Sequence, residues 1–381
     1  MHYLDHAATT PIVPEAKAAL LAFLEGDFGN PSSVHAYGRA ARRGVEDARE
    51  QVAAAIGASP AEITFTAGGT EADNLAIKGV ATKLGGNGKH VVTSAFEHHA
   101  VLHSIEHLQG SGFKVTIVEV GSDGLVAPGR ICDAVRRDTI LVSVMAVNNE
   151  IGTVQDMAGI VAAAKGANRS TLVHSDAVQA LGNIPVDVHR WGLDLASFSA
   201  HKLGGPKGVG ALFVRAGVPV ATQLHGGGHE RGLRSGTLNA AGVAAFGAAA
   251  EVAAKEVHDK AERLLRFRTR LLEGVRAAVP DVVVNGDIDA RVPGNLNVSF
   301  PGASGETLLL LLDAAGIACS SGSACQSGAL DPSHVLLAIG LEPRLADGSI
   351  RFSLGRASTE EDVSAVLHVL PEIVERARKA A

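Results

Sequence analysis

The residues best suited to chemistry begin with Lys202, in SFSAHKLGGPKGVG (197–210), after an apolar run and before a glycine turn. Burying an ammonium lowers its pKa, and the neutral amine condenses with aldehydes to form Schiff bases. Taken alone, the motif also reads as a surface lysine in a turn. The segment EITFTAGGTEADNLAIKG (62–79) predicts strand, glycine turn and helix, with Thr70 at the N-cap and Asp73 three residues on. Glycines such as Gly69 let backbone N–H groups approach an anion, and the helix N-terminus favours negative charge, so this turn suits a phosphate or is an ordinary capped turn. Ser199 and His201 flank the lysine as further phosphate donors. In TLVHSDAVQALG (171–182), Asp176 lies just past an apolar strand, with Gln179 expected on a first helical turn. A carboxylate there holds a pyridine nitrogen protonated and an amide donates to a phenolate oxygen; an N-capping aspartate is the alternative. An amine for an aldehyde, a phosphate cradle and an acid for a ring nitrogen are what pyridoxal phosphate requires.

Histidines crowd AFEHHAVLHSIEHL, where His99, His103 and His107 share a helical face. Neither a carboxylate pattern nor a cysteine pair accompanies them, so no metal is expected. His98, nearest the preceding strand, is placed to stack on an aromatic cofactor. The run ACSSGSACQSGALDPSH (318–334) holds Cys319 and Cys325 in a loop of small residues, which cannot bury Cys325 well and so leaves it reactive. Cys319 either packs or captures sulfur, with packing favoured, and Cys132, in RICDAVRR, is expected to pack.

These residues need a large scaffold. The 381-residue chain predicts two domains: 15–255 as a large cofactor-binding part, and 1–14 with 256–381 as a smaller α+β part. Short β-branched runs alternate with helical patterns from about residue 60, giving seven strands: EITFT, HVVTSA, KVTIVEV, TILVSVMAV, TLVHSDA, LDLASFSA and VGALFV. Such alternation implies an α/β fold with a mostly parallel sheet and ligands beyond the strands' carboxyl ends. Beyond Gly242 an alanine-rich charged pattern predicts a long connecting helix, and TLLLLLDAAGIA, interrupted by Asp313, a core helix. A formal net charge of −6 offers no basic field for nucleic acid or membrane. MHYLDHAATTP lacks a signal-peptide pattern, so a cytoplasmic location is expected, and three cysteines argue against a disulfide framework.

In order along the chain, YLDHAATTP (3–11), GNPSSVHAYGRAAR (29–42), FTAGGTEADNLAIKG (65–79) and VNNEIGTVQ (147–155) resemble successive signatures of the cysteine desulfurases. SDAVQALGN, SFSAHKLGGPKGVG, GGGHERGLRSGTLN, SSGSACQSGALDPSHVL and SIRFSLGR continue the series. The group is a branch of the class-V pyridoxal-phosphate aminotransferases, and the likeness is to its iron-sulfur assembly type. It implies the aspartate-aminotransferase-like (fold type I) architecture. It also implies pyridoxal 5'-phosphate on Lys202, Asp176 at the pyridine nitrogen, Gln179 at the phenolate oxygen and His98 over the ring. Gly69, Thr70, Ser199 and His201 would hold the phosphate, joined by Thr237 from a second subunit of a homodimer. Asn149 and Arg351 would bind the substrate carboxylate, and Cys325 would take sulfur from L-cysteine as a persulfide, leaving L-alanine. The acceptors implied are proteins such as an iron-sulfur scaffold or a tRNA thiolase. A selenocysteine lyase or a small-substrate aminotransferase on the same cofactor is the alternative enzyme; a sulfur-carrying interaction module and a histidine-based metal protein are the readings from other classes.

Overall fold

A computed structural model describes residues 1–321 and 332–380. Its strands are β1 (His2–Tyr3), β2 (Ile63–Thr66), β3 (His90–Ser94), β4 (Lys114–Val118), β5 (Thr139–Ser143), β6 (Leu172–Asp176), β7 (Leu195–Ser199) and β8 (Gly210–Val214), followed by β9 (Val283–Val284), β10 (Asn295–Ser299), β11 (Ile317–Ala318) and β12 (Ser349–Ser353). The helices are α1 (Pro14–Glu25), α2 (Ala36–Ala55), α3 (Gly69–Leu84), α4 (His99–Gly110), α5 (Pro128–Ala134), α6 (Met157–Ala167), α7 (Val188–Trp191) and α8 (Ala240–Ala278), then α9 (Gly305–Ala314), α10 (His334–Ala338), α11 (Pro343–Asp347) and α12 (Glu360–Ala380).

The seven expected strands form one sheet in the order β2-β8-β7-β6-β5-β3-β4. Only β8 runs against its neighbours, so the other six end on one edge. Side chains of a strand alternate between faces. Val91, Leu141, Leu195 and Leu212 accordingly pack with α3 and α4, while Val92, Val142, Ala196 and Phe213 join the cluster containing α2, α6 and the first half of α8. Both faces are covered, so polar strand residues such as Thr93, Ser143, Ser175 and Ser197 are buried as fully as the apolar ones.

A second core gathers around β10 and β12, from Leu264–Val275 of α8, Leu308 and Leu312 of α9, and the apolar face of α12. The long helix predicted from the alanine-rich pattern thus serves both cores. Parts of the C-terminal third depart from the second core, because Val335, Leu336 and Ile339 pack against the first. The expected core helix is α9, which enters the second core by one face: Leu308 and Leu312 are buried there and Leu310 is 66% exposed. Cys132 is also a correction, since it lies exposed on α5 rather than packed. Among the described residues no helix is long and apolar enough to cross a membrane.

One buried ion pair ties the segment 225–239 to the sheet. Glu230 accepts from Arg49 Nη1 at 2.8 Å and Nη2 at 2.7 Å, and from the Phe65 N–H at 2.7 Å. Glu230 and its neighbour Arg231 hold φ of 47° and 55°, a left-handed conformation that costs non-glycine residues energy and persists only where the surroundings fix it. Removing Glu230 leaves the buried Arg49 with only the exposed carboxylate of Glu46 and takes the acceptor from the Phe65 N–H, and breaking a buried pair in this way costs about 3–5 kcal/mol. Glu230→Ala should therefore lower stability by about that amount, read as a fall in the urea midpoint at unchanged slope; an unmoved midpoint contradicts this role.

Candidate active site

The carboxyl ends of β2, β3, β5, β6 and β7 converge on one cavity of about 360 Å³. Lys202 enters from the 3-10 turn Ala200–Lys202 directly after β7, and its Nζ donates to the carbonyls of Ala7 at 2.7 Å and Ala8 at 2.8 Å. Gln179 Nε2 donates to the same Ala7 carbonyl at 2.9 Å, so the N-terminal segment seats both side chains. Gln179 belongs to a turn, not to the helix expected after β6. Asp176 ends β6, 4% exposed, with Oδ1 accepting from the Val178 N–H at 2.9 Å. Burial pushes its carboxyl up, and His98, the Val178 N–H and Lys202 oppose that shift.

His98 is the N-cap of α4: its Nδ1 accepts from the Ala100 N–H at 3.1 Å, so the proton of the neutral ring sits on Nε2. His99 and His103 lie with ring centroids 5.1 Å apart on the same helix. Among the described residues, the His, Cys, Asp and Glu donor atoms that come within 4.8 Å of one another in a group of three belong to Asp73, His98 and Asp176, not to the helical histidines.

The glycine turn forms one wall. Gly68, with φ +154°, and not Thr70, is the N-cap of α3; Thr70 is the second residue of the helix and lines the cavity with Gly69. A Cβ on Gly210 of β8 would sit 2.7 Å from Gly68 Cα, so the close approach of strand end and turn requires glycine there. Ser199 and His201 line the same wall. His201 Nδ1 bonds Thr9 Oγ1 at 3.2 Å, and burial together with the charges of Lys202 and Lys207 lowers its pKa to about 4, leaving a neutral ring at pH 7.

Arg351 of β12, 2% exposed, lines the same cavity as the lysine. Nη2 donates to Asp5 Oδ1 at 2.7 Å and Nη1 to the carbonyl of Asn149 at 2.8 Å, while Nε has no hydrogen-bond partner among the described residues. A buried guanidinium with an unsatisfied N–H beside a cavity is suited to a carboxylate. Asn149 also lines the cavity. Thr237 is exposed and does not line the cavity of its own chain. Cys325 lies outside the described residues. Its described flanks meet the site: Ser320 exchanges backbone hydrogen bonds with Arg351, and Ser333 Oγ donates to Glu150 Oε2 at 2.5 Å. Cys319 packs against the second core, and burial pushes its thiol up to about 12.

This arrangement can anchor an aldehyde, an anion and a cationic ring nitrogen together and leave a guanidinium for a second acid. The family model "Aminotransferase class-V" matches residues 2–366. The chain belongs to the class-V aminotransferase family. Within it the chain groups with the cysteine desulfurases: it is 47% identical over 376 residues to Cysteine desulfurase IscS of Methanosarcina thermophila, covering 99% of this chain and 92% of that one. A solved NifS-like protein superposes with a TM-score of 0.93 at 40% identity, covering 99% of this chain and 100% of the other. The structure of SspA in complex with cysteine gives a TM-score of 0.83 at 33% identity, covering 93% and 99%.

Sequence reasoning about this class-V member missed three groups at the site. Asp5 pairs with Arg351, and the carbonyls of Ala7 and Ala8 receive Lys202, although all lie in the quoted YLDHAATTP. Glu97, fully buried, accepts from the Met145 N–H at 2.9 Å and from Ser94, and burial raises its carboxyl to about 8. An acidic residue followed by two histidines gave no signal that it points inward.

Proposed function

We propose that the chain is a pyridoxal-phosphate-dependent cysteine desulfurase that takes sulfur from L-cysteine, releases L-alanine and carries the sulfur on Cys325. The observation that supports it most is that Lys202, Asp176, Gln179 and His98 line one cavity with the Gly69–Thr70 wall and Arg351, though they are far apart in sequence. The residues fit the cofactor. Asp176 is a buried acid for a ring nitrogen, the glycine turn gives backbone N–H groups room to approach a phosphate, and Ser199 and neutral His201 add donors beside it. Gly69 lies so close to Val178 that a Cβ would come within 2.7 Å of its Cγ2, so the wall stays open only with glycine.

When bound there, pyridoxal phosphate supplies an aldehyde for amines and a ring that accepts the electron pair of the α-carbon. Arg351 and Asn149 orient the substrate by its carboxylate. Lys202, whose Nζ the Ala7 and Ala8 carbonyls place in the cavity, would anchor the cofactor's aldehyde until the substrate amine displaces it, and the amine so freed takes the α-proton. His98 Nε2 moves protons on the ring face. The thiolate of Cys325 attacks the substrate sulfur: an S–S bond forms, the C–S bond breaks, and the carbon skeleton is protonated and leaves as alanine. Thr237, exposed on its own chain, completes the phosphate site of a second copy in a homodimer. Sulfur then passes to an acceptor protein such as an iron-sulfur scaffold or a tRNA thiolase. The two-domain division at 255/256 belongs to the same reading and is supported by the separate cores joined through α8.

The reading is tested by incubating the loaded protein with L-cysteine and a thiol reductant and measuring alanine and sulfide together. Equal amounts of both are expected. Pyruvate and ammonia in place of alanine, or a keto acid with transfer of the amino group, would assign a different reaction.

A further inference from the structure

Under the Asp176 side of the cavity lies a second buried acid. Asp73 of α3 is 1% exposed and Asp176 4%, and a carboxylate oxygen of each lies within 4.8 Å of the other. Two carboxyls this close in a low-dielectric interior do not both ionise; one keeps a proton. Their surroundings are unequal. Asp176 receives the Val178 N–H and faces His98 and Lys202, all of which favour its charged form. Asp73 shares a hydrogen bond with Ser197, but its Oδ1 has no hydrogen-bond partner among the described residues. His174 Nε2 stands 3.6 Å from that oxygen, yet His174 is bonded to the hydroxyls of Ser143 and Ser197 and burial lowers its pKa to about 3, so it is neutral. Glu97 on the remaining side is another buried acid and brings no positive charge.

We propose that Asp73 is a positioning residue that retains a proton, so that the single negative charge of the pair stays on Asp176. The proposal rests on the function proposed above only for its consequence, because that charge is what holds a protonated ring nitrogen.

Burial, with Asp176 adding to it, raises the Asp73 carboxyl well above the ordinary range. Such a group binds its proton more tightly folded than unfolded. Stability therefore falls as pH rises from the unfolded value, about 4, to the raised folded value, and is level beyond it. Asp73→Asn has nearly the same shape and does not titrate, so it removes that slope. Unfolding of the full-length protein, loaded and cofactor-free samples in parallel, is compared with wild type from about pH 5 to 7. The folded-to-unfolded ratio of D73N should gain on wild type by up to about tenfold per pH unit. A difference independent of pH, or one that favours wild type more as pH rises, overturns the proposal. If D73N does not fold, infrared spectra of wild type and Asp176→Asn carrying isotope-labelled aspartate read the same point: the C=O stretch of a protonated aspartic acid at pH 7 is expected in both, and its absence from wild type, or its loss in Asp176→Asn, overturns the proposal. Pyridoxal phosphate titrated into Asp176→Asn tests the cofactor reading separately, since undiminished affinity there would fail that reading and leave the Asp73 slope untouched.

Discussion

Lys202→Ala should lower alanine formation from L-cysteine by about 10²- to 10⁴-fold, the usual contribution of a positioned proton-transfer group, with further loss from the missing covalent anchor. The side chain is built into the site from two directions. The turn Ala200–Lys202 follows directly on β7, and the carbonyls of Ala7 and Ala8 fix Nζ. Replacing it with alanine takes away an amine without removing either structural support, so the fold should persist. The variant should bind pyridoxal phosphate weakly and reversibly, and borohydride should leave no cofactor attached to residue 202. A Lys202→Ala protein that still forms alanine at more than about a tenth of the wild-type rate would remove this residue from the proton transfers.

Cys325→Ala should retain the yellow colour of the bound cofactor and lose sulfide release by a factor of at least about 10³, the scale on which enzymes lose activity with their nucleophile. Arg351, Lys202 and Asp176 are untouched by that change, so cysteine should still perturb the absorption spectrum. Cys319→Ala provides the contrast. Its thiol packs against the second core and is pushed up to about 12 by burial, so almost none is thiolate at neutral pH. Activity of that variant is expected within about twofold of wild type, since a thiol is a poor nucleophile. Comparable losses from both variants would mean that the two cysteines act together, against the single-persulfide account.

The fold is legible where burial is two-sided. β3, β5, β6 and β7 are covered on both faces, and each contains a short apolar or β-branched stretch, such as the VV of β3 and the ILV of β5, that is recognised without its partner. β1 is the opposite case: His2–Tyr3 pairs with Ile317–Ala318, and nothing local in two residues announces a partner more than 300 positions away. Residue types alone suggested roles for Lys202 and Asp176, and Arg351 was singled out only by the resemblance to the cysteine desulfurases, but the neighbours of all three were hidden. Asp73 reads as an ordinary acid in a first helical turn, and only the packing of α3 against β6 and β7 turns it inward beside Asp176. Thr70 is a good capping type, yet the chain needs φ +154° at the cap, and Gly68 takes it. In the leucine run of α9 nothing local says which leucines face inward, and Leu310 is exposed because a helix with one buried face must expose some of them. Glu230 and Arg49, 181 positions apart, are visible as a pair only once the segment 225–239 folds back on β2.

The central claim, that sulfur leaves cysteine onto one thiol of this chain, is tested most directly by mass spectrometry of the loaded protein after brief incubation with L-cysteine and rapid quenching. The account predicts one additional sulfur on the peptide containing Cys325, absent in Lys202→Ala and removed by reductant. Alanine accumulating while Cys325 stays unmodified, or the added sulfur found on Cys319 or Cys132, would contradict it.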